Sequence, residues 1–185
     1  RKKLFWLMLT RLFVMDGLNT LFAFGGIVAA GTFGFSMTEV LLFAILLNLT
    51  AGVGAFILGW ADDYLSPLFV IIGSLVGLVV LVTIAMFTYS TLIFWLVGAA
   101  IGFFVGPVQS STRSFLAHQI MDDDPYRFFG FYSFSGRISA FVGPMVFGLL
   151  VAWFHSQRAG MVIIWLLLAL GLGCALRIAT VEESD

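Results

Sequence analysis

Charge is scarce in this 185-residue sequence: Asp, Glu, Lys and Arg make up 10% of it, against roughly 25% in an ordinary soluble domain. So little charge excludes a soluble globular chain. Nine Lys and Arg against ten Asp and Glu leave a formal net charge of −1, and the longest basic run is Arg1-Lys2-Lys3. A nucleic-acid footprint is therefore absent. Cysteine is scarcer still. Cys174 stands alone, which excludes an intrachain disulfide and a cysteine metal cluster. The two histidines, His118 and His155, fall at opposite ends of apolar runs and do not form one metal site. No nucleophile elbow, Walker loop, paired zinc histidines or dinucleotide fingerprint is present, so neither an enzyme nor a cofactor or metal is expected.

Apolar residues make up 61% of the chain, with 21 Phe, 20 Gly and 5 Trp and a mean hydropathy of +1.10. Because they extend over the whole length, a single anchor or signal peptide does not account for them. A helical span needs about 20 mainly apolar residues, and short polar breaks divide the sequence into six such runs, near 4–30, 37–60, 67–87, 91–117, 125–154 and 159–179. One six-helix transmembrane domain over residues 1–185 is expected. Start signals mark the breaks: Ser36 with Glu39 forms a capping box, Ser66 precedes Pro67, and Asp124 precedes Pro125. Six spans put both termini on one side. Arg1, Lys2, Lys3, Arg127 and Arg177 flank that side and only Arg158 the other, so the positive-inside rule places both termini in the cytoplasm of a multi-pass membrane protein. The sequence opens on Arg1 instead of Met, and an upstream segment is expected.

Polar groups inside a membrane are costly, so their distribution carries the functional information. The first run holds Asp16 and Asn19, the second Asn48, the fourth Gln109 and Arg113, and the fifth Ser133, Ser135 and Arg137, while the third and sixth have no charged residue in their interiors. Two successive triplets of polar, polar and apolar helices suggest a 3+3 inverted repeat with the third helix of each against lipid. Counted from the cytoplasmic ends, Asp16 and Arg137 both lie about 15–18 Å deep. Near the midplane an isolated charge is unfavourable, so a salt bridge or a shared hydrated cavity is expected between them. Either a permanent ion pair fixing helix packing or a proton or substrate-ammonium site at Asp16, with Arg137 as its counter-ion, fits the sequence. Asn19, Asn48 and Gln109 offer neutral hydrogen bonds to a small polar solute.

Gly98, Gly102, Gly106, Gln109 and Arg113 follow one face of the fourth helix, and Ala51, Ala55 and Gly59 on the second and Gly73 with Gly77 on the third repeat the small-residue spacing. Close helix packing is the expected role of these ladders. Pro107 and Pro144 fall inside runs and release backbone carbonyls. Gly59 and Asp63 close the second helix at the cytoplasm, where with Arg113 they are candidates for a gate. Asp122-Asp123-Asp124 is read as charge at a helix N-terminus rather than a metal site.

Asp16-Gly17-Leu18-Asn19-Thr20-Leu21-Phe22-Ala23-Phe24-Gly25-Gly26, continuing through Ala29-Ala30-Gly31-Thr32-Phe33-Gly34, resembles the first helix of the C-terminal half in the vacuole-effluxer-like family of the major facilitator superfamily. Gly106 to Ser114, Gly136 to Pro144, and Gly148 to Gly160 resemble the same family in order. The resemblance implies an all-α half of a twelve-helix alternating-access transporter, with amino-acid export from the vacuole as the activity of fungal relatives. The loop after Gly59 and Asp63 departs from the superfamily's cytoplasmic motif: Tyr64, Ser66, Pro67 and Leu68 stand where basic residues and glycine belong. Expected partners are the bilayer, a small polar solute, and a second six-helix half, either an N-terminal domain or another copy. The alternative is a transport-inactive six-helix subunit of a larger membrane complex.

Overall fold

A computed structural model describes residues 2–119, 130 and 139–182. Its helices are α1 (Lys2–Phe33), α2 (Met37–Tyr64), α3 (Pro67–Phe87), α4 (Thr91–Gln119), α5 (Val142–Phe154) and α6 (Gln157–Glu182), with a 3₁₀ turn at Ser139–Phe141 leading into α5. Five of them, all but α5, are long and apolar enough to cross a membrane. Among the described residues there is no strand.

Local chemistry sets the helix starts. Ser36 accepts from the Glu39 N–H at 3.4 Å while the Glu39 carboxylate accepts from the Ser36 N–H at 2.7 Å, so the capping box begins α2 as the sequence indicates. Ser66 accepts from the Phe69 N–H at 3.2 Å and Pro67 takes the first helical position of α3, where no N–H is needed. Asp124 and Pro125 lie outside the described residues. Gly34 ends α1 with φ +71, a left-handed conformation that glycine adopts without strain.

The helices alternate in direction. α1 packs along α6, α2 along α4, and α3 against both α4 and α6, while α5 lies on α6 and α1. Leu7, Leu18, Leu75, Leu78, Leu116 and Leu168 are fully buried between them. Glycine permits the closest approaches: Val14 of α1 occupies the space beside Gly171 of α6, and Leu167 and Leu168 lie against Gly17.

At the end bearing residues 34–36, 88–90 and 155–156, polar side chains tie three helices together. The Arg158 guanidinium donates to the carbonyls of Met86 at 2.7 Å and Thr88 at 2.6 Å, and lies 4.2 Å from the Tyr89 ring centroid. A cation at the C-terminus of α3 also meets the negative end of that helix. Thr32 donates to Gln157 at 2.9 Å, joining α1 to α6.

Coverage is unequal in an unexpected way. In the apolar windows of α1, α3, α4 and α6, 44% of residues are buried, but in that of α2 only 17%. The third and sixth helices, expected against lipid, each have one side well covered within the bundle. The barest helix is α2, whose Leu41, Ile45, Leu49, Val53, Phe56 and Trp60 are all exposed.

Candidate functional site

Asp16 lies near the middle of α1, about 21 Å along the axis from Lys2 and about 26 Å from Phe33. It is 2% exposed, and a carboxylate so deep needs strong partners. The helix α5 supplies one. The Gly143 N–H donates to Asp16 Oδ1 at 3.0 Å and Oδ2 at 2.9 Å. Gly143 stands in the first turn of α5, whose N-cap residue, Phe141, has no side chain to cap with. Every helix begins with N–H groups that have no partner within it, and here the carboxylate of a neighbouring helix caps one of them. The positive end of the α5 dipole adds to the attraction.

The contact requires glycine at 143. A Cβ there would run into Thr20 Oγ and approach Asp16 Oδ1 to 3.0 Å. Thr20 is fully buried and donates to the Asp16 backbone carbonyl at 2.7 Å. Pro144, next in α5, lacks an N–H at a first-turn position where none is required. The described part of the run expected near 125–154 passes through the 3₁₀ turn and enters α5 at Val142, where Asp16 satisfies a helix end that opens inside the bundle.

The other candidates are dispersed. Asn19, one turn from Asp16, is exposed. Asn48 is also exposed, on the bare side of α2, and donates to the Ala44 carbonyl at 2.8 Å. Gln109 is half-buried and Arg113 exposed on α4. Among the described residues no hydrogen bond joins Asp16, Asn19, Asn48 and Gln109 to one another. Arg137, the expected counter-ion of Asp16, lies outside the described residues, as do Ser133, Ser135 and Asp122–Asp124. Gly59 falls within the last turns of α2 with open space beside it. The Asp63 side chain is outside the described set. No group of three or more His, Cys, Asp or Glu among the described residues is placed to hold a metal ion.

The glycine ladder of α4 faces α2. Gly102 meets Leu47 and Thr50, and Gly106 meets the Ala51 carbonyl and Ala55. From the other side, Gly54 of α2 sits on the Phe103 carbonyl. Pro107, four residues after Phe103, has no N–H to give that carbonyl, so the freed acceptor faces the Gly54 backbone, in the position of a weak Cα–H···O contact. The carbonyl released by Pro107 thus serves helix packing.

Gly143, Thr20 and Arg158 are the polar-site residues that the sequence alone did not single out. Residues 1–184 match the family described as vacuole effluxer Atg22-like. The chain belongs to this family. It is also similar to the uncharacterized MFS-type transporter YxiO of Bacillus subtilis (strain 168), with 24% identity over 146 residues, 78% of this chain and 34% of the relative. The chain thus spans about a third of the length of that relative. Family and helices together make it a multi-pass integral membrane protein of the major-facilitator kind.

Proposed function

We propose that this chain forms one six-helix body of a secondary-active transporter that moves a small polar solute by alternating access, with coupling to an ion at Asp16. The observation that carries the reading is the bond between the buried Asp16 carboxylate and the Gly143 N–H at the internal start of α5. Helices that begin or break near the midplane, with their N-termini turned to negative charge, are a recurring feature of secondary transporters. A proton bound at Asp16 removes the charge that attracts the α5 N-terminus. The cap then weakens, and α5 is freed to shift against α1.

Exposed Asn19 and Asn48 and half-buried Gln109 supply hydrogen-bonding groups for the solute, with Arg137 as counter-ion and Arg113, Gly59 and Asp63 toward the gate. Amino acids are the solute class that the resemblance to the family's fungal members implies. The bare face of α2 receives the second six-helix body, which a relative more than twice as long has room to encode. The competing reading is a transport-inactive scaffold subunit, and it draws on one observation: Asp16 is already paired within the chain. Exposed asparagines among apolar neighbours favour transport, since against lipid the single bond of Asn48 to the Ala44 carbonyl leaves the rest of its amide unsatisfied.

The test is uptake by the full-length protein reconstituted in liposomes, supplied with a mixed pool of labelled amino acids under an imposed pH gradient. Accumulation by the native protein and its loss in Asp16→Asn, with the melting temperature of Asp16→Asn within a few degrees of native, support the proposal. Gradient-driven accumulation that Asp16→Asn leaves unchanged removes Asp16 from coupling. If no solute in the pool moves with either protein, the amino-acid assignment falls.

A further inference from the structure

Thr20 stands one turn after Asp16 on α1, so the two side chains share a face of the helix. It is fully buried, and its hydroxyl donates to the Asp16 backbone carbonyl at 2.7 Å. That bond uses the single hydrogen of the hydroxyl and leaves the lone pairs of Oγ as acceptors. Gly143 marks what lies around them. The three atoms nearest the point that a Cβ at 143 would occupy are Thr20 Oγ, Asp16 Oδ1 at 3.0 Å and Leu167 Cδ1 at 3.1 Å. Carboxylate and hydroxyl therefore lie side by side under the first turn of α5, in a niche whose third wall is apolar.

A carboxylate and a carboxylic acid make opposite demands on this niche. Ionised Asp16 accepts, and the Gly143 N–H meets both of its oxygens. Protonated Asp16 has an O–H to donate, and a donor buried without an acceptor is unfavourable. The carbonyls of α1 are taken up by its own helical bonds, and that of Asp16 by the Thr20 hydroxyl as well. No other titratable side chain faces Asp16 from the described elements packed there. The 3₁₀ turn and α5 have none, and on α6 Arg158 and Cys174 stand about 9–14 Å along the axis from Leu167 and Leu168. On α1, Arg11 precedes Asp16 by more than a turn and lies about 140° round the helix.

We infer that Thr20 Oγ accepts the hydrogen bond of protonated Asp16, a positioning residue that turns the neutral carboxyl from α5 onto α1. The inference rests on the proposed coupling at Asp16. In the ionised state the carboxylate bonds across to the Gly143 N–H. Once protonated, it keeps the proton on one Oδ and donates to the hydroxyl one turn along its own helix, while the Thr20 hydrogen stays on the Asp16 carbonyl. A bond between helices is exchanged for one within α1, and the α5 start is released without leaving the acid unsatisfied.

The test is infrared difference spectroscopy of the full-length protein in liposomes between acid and neutral pH. Subtracting the spectrum of the same protein carrying Asp16→Asn isolates the Asp16 carboxyl band. Donating a hydrogen bond lowers the C=O stretch of an acid, so Thr20→Val, which keeps the shape and removes the acceptor, is expected to move the band to higher wavenumber. Thr20→Ser, which restores the hydroxyl, is expected to return it to the native position. Thr20→Ala gives a second reading should Thr20→Val not fold. An Asp16 band that stays in place without the hydroxyl, or that Thr20→Ser shifts as far as Thr20→Val does, overturns the inference and leaves the coupling reading standing. Absence of any Asp16 band in the native protein removes the coupling reading, and this inference with it.

Discussion

At the residue scale, one buried carboxylate governs an entire helix start. Removing the Asp16 side chain leaves the Gly143 N–H without its acceptor in a site closed to water, and an orphaned buried donor costs about 1–3 kcal/mol. Asp16→Ala should therefore lower the melting temperature of the detergent-solubilised protein clearly more than Asp16→Asn, whose amide oxygen still accepts from Gly143. Equal melting of both variants would show that the bond contributes nothing to stability. Gly143→Ala should destabilise by a similar amount, because its Cβ enters the space held by Thr20 Oγ. Arg158 makes a second residue-scale case. Arg158→Lys keeps the charge but not the fork that reaches both Met86 and Thr88, and a loss of about 1–2 kcal/mol in unfolding free energy is expected. Asp16 was legible in the sequence because an acid inside an apolar run is conspicuous. One partner was not: the Gly143 N–H is a backbone group with no side-chain signature, while Arg137, which charge pairing suggested, lies outside the described residues. The faint signal was Phe141-Val142-Gly143-Pro144, a proline-marked helix start lacking a polar cap of its own.

At the scale of elements, α2 and α4 are held together by missing side chains. Gly54, Gly102 and Gly106 let the two backbones approach until carbonyls of one helix face glycines of the other, which is how small residues strengthen helix pairs where lipid removes the hydrophobic drive. Position decides the outcome of substitution there. Gly54→Val should lower stability by about 1–3 kcal/mol through overpacking, whereas Gly52→Val, two residues away with nothing within 4 Å of its Cβ, should leave the melting temperature nearly unchanged. Thermal unfolding of the two variants side by side checks this, and equal losses would contradict the assigned helix contact. Helix starts with polar caps, at Ser36 and Ser66, were readable from local sequence, as was the α4 ladder from its spacing of four. The start of α5 was not, because its cap comes from a helix more than a hundred residues away.

At the scale of the whole molecule, the described helices leave α2 bare and two asparagines uncovered, Asn19 on α1 and Asn48 on α2. Composition made the membrane setting plain, and the alternation of apolar runs marked the helices α1, α2, α3, α4 and α6. The relative coverage of the helices was hidden, because a hydrophobic run reads alike whether it meets lipid, a neighbour within the bundle or a second six-helix body. What most directly separates a transport body from a scaffold is whether the asparagines meet water. Cys174 is the sole cysteine of this sequence, so Cys174→Ser, together with replacement of any cysteine elsewhere in the full-length protein, gives a blank background for Asn19→Cys, Asn48→Cys and, on an exposed apolar face of α6, Leu176→Cys. In sealed membranes of the full-length protein treated with a membrane-impermeant maleimide, both asparagine positions should react while Leu176→Cys stays inert. Inertness at all three positions would mean that no hydrated crevice reaches this face, contradicting the transport account.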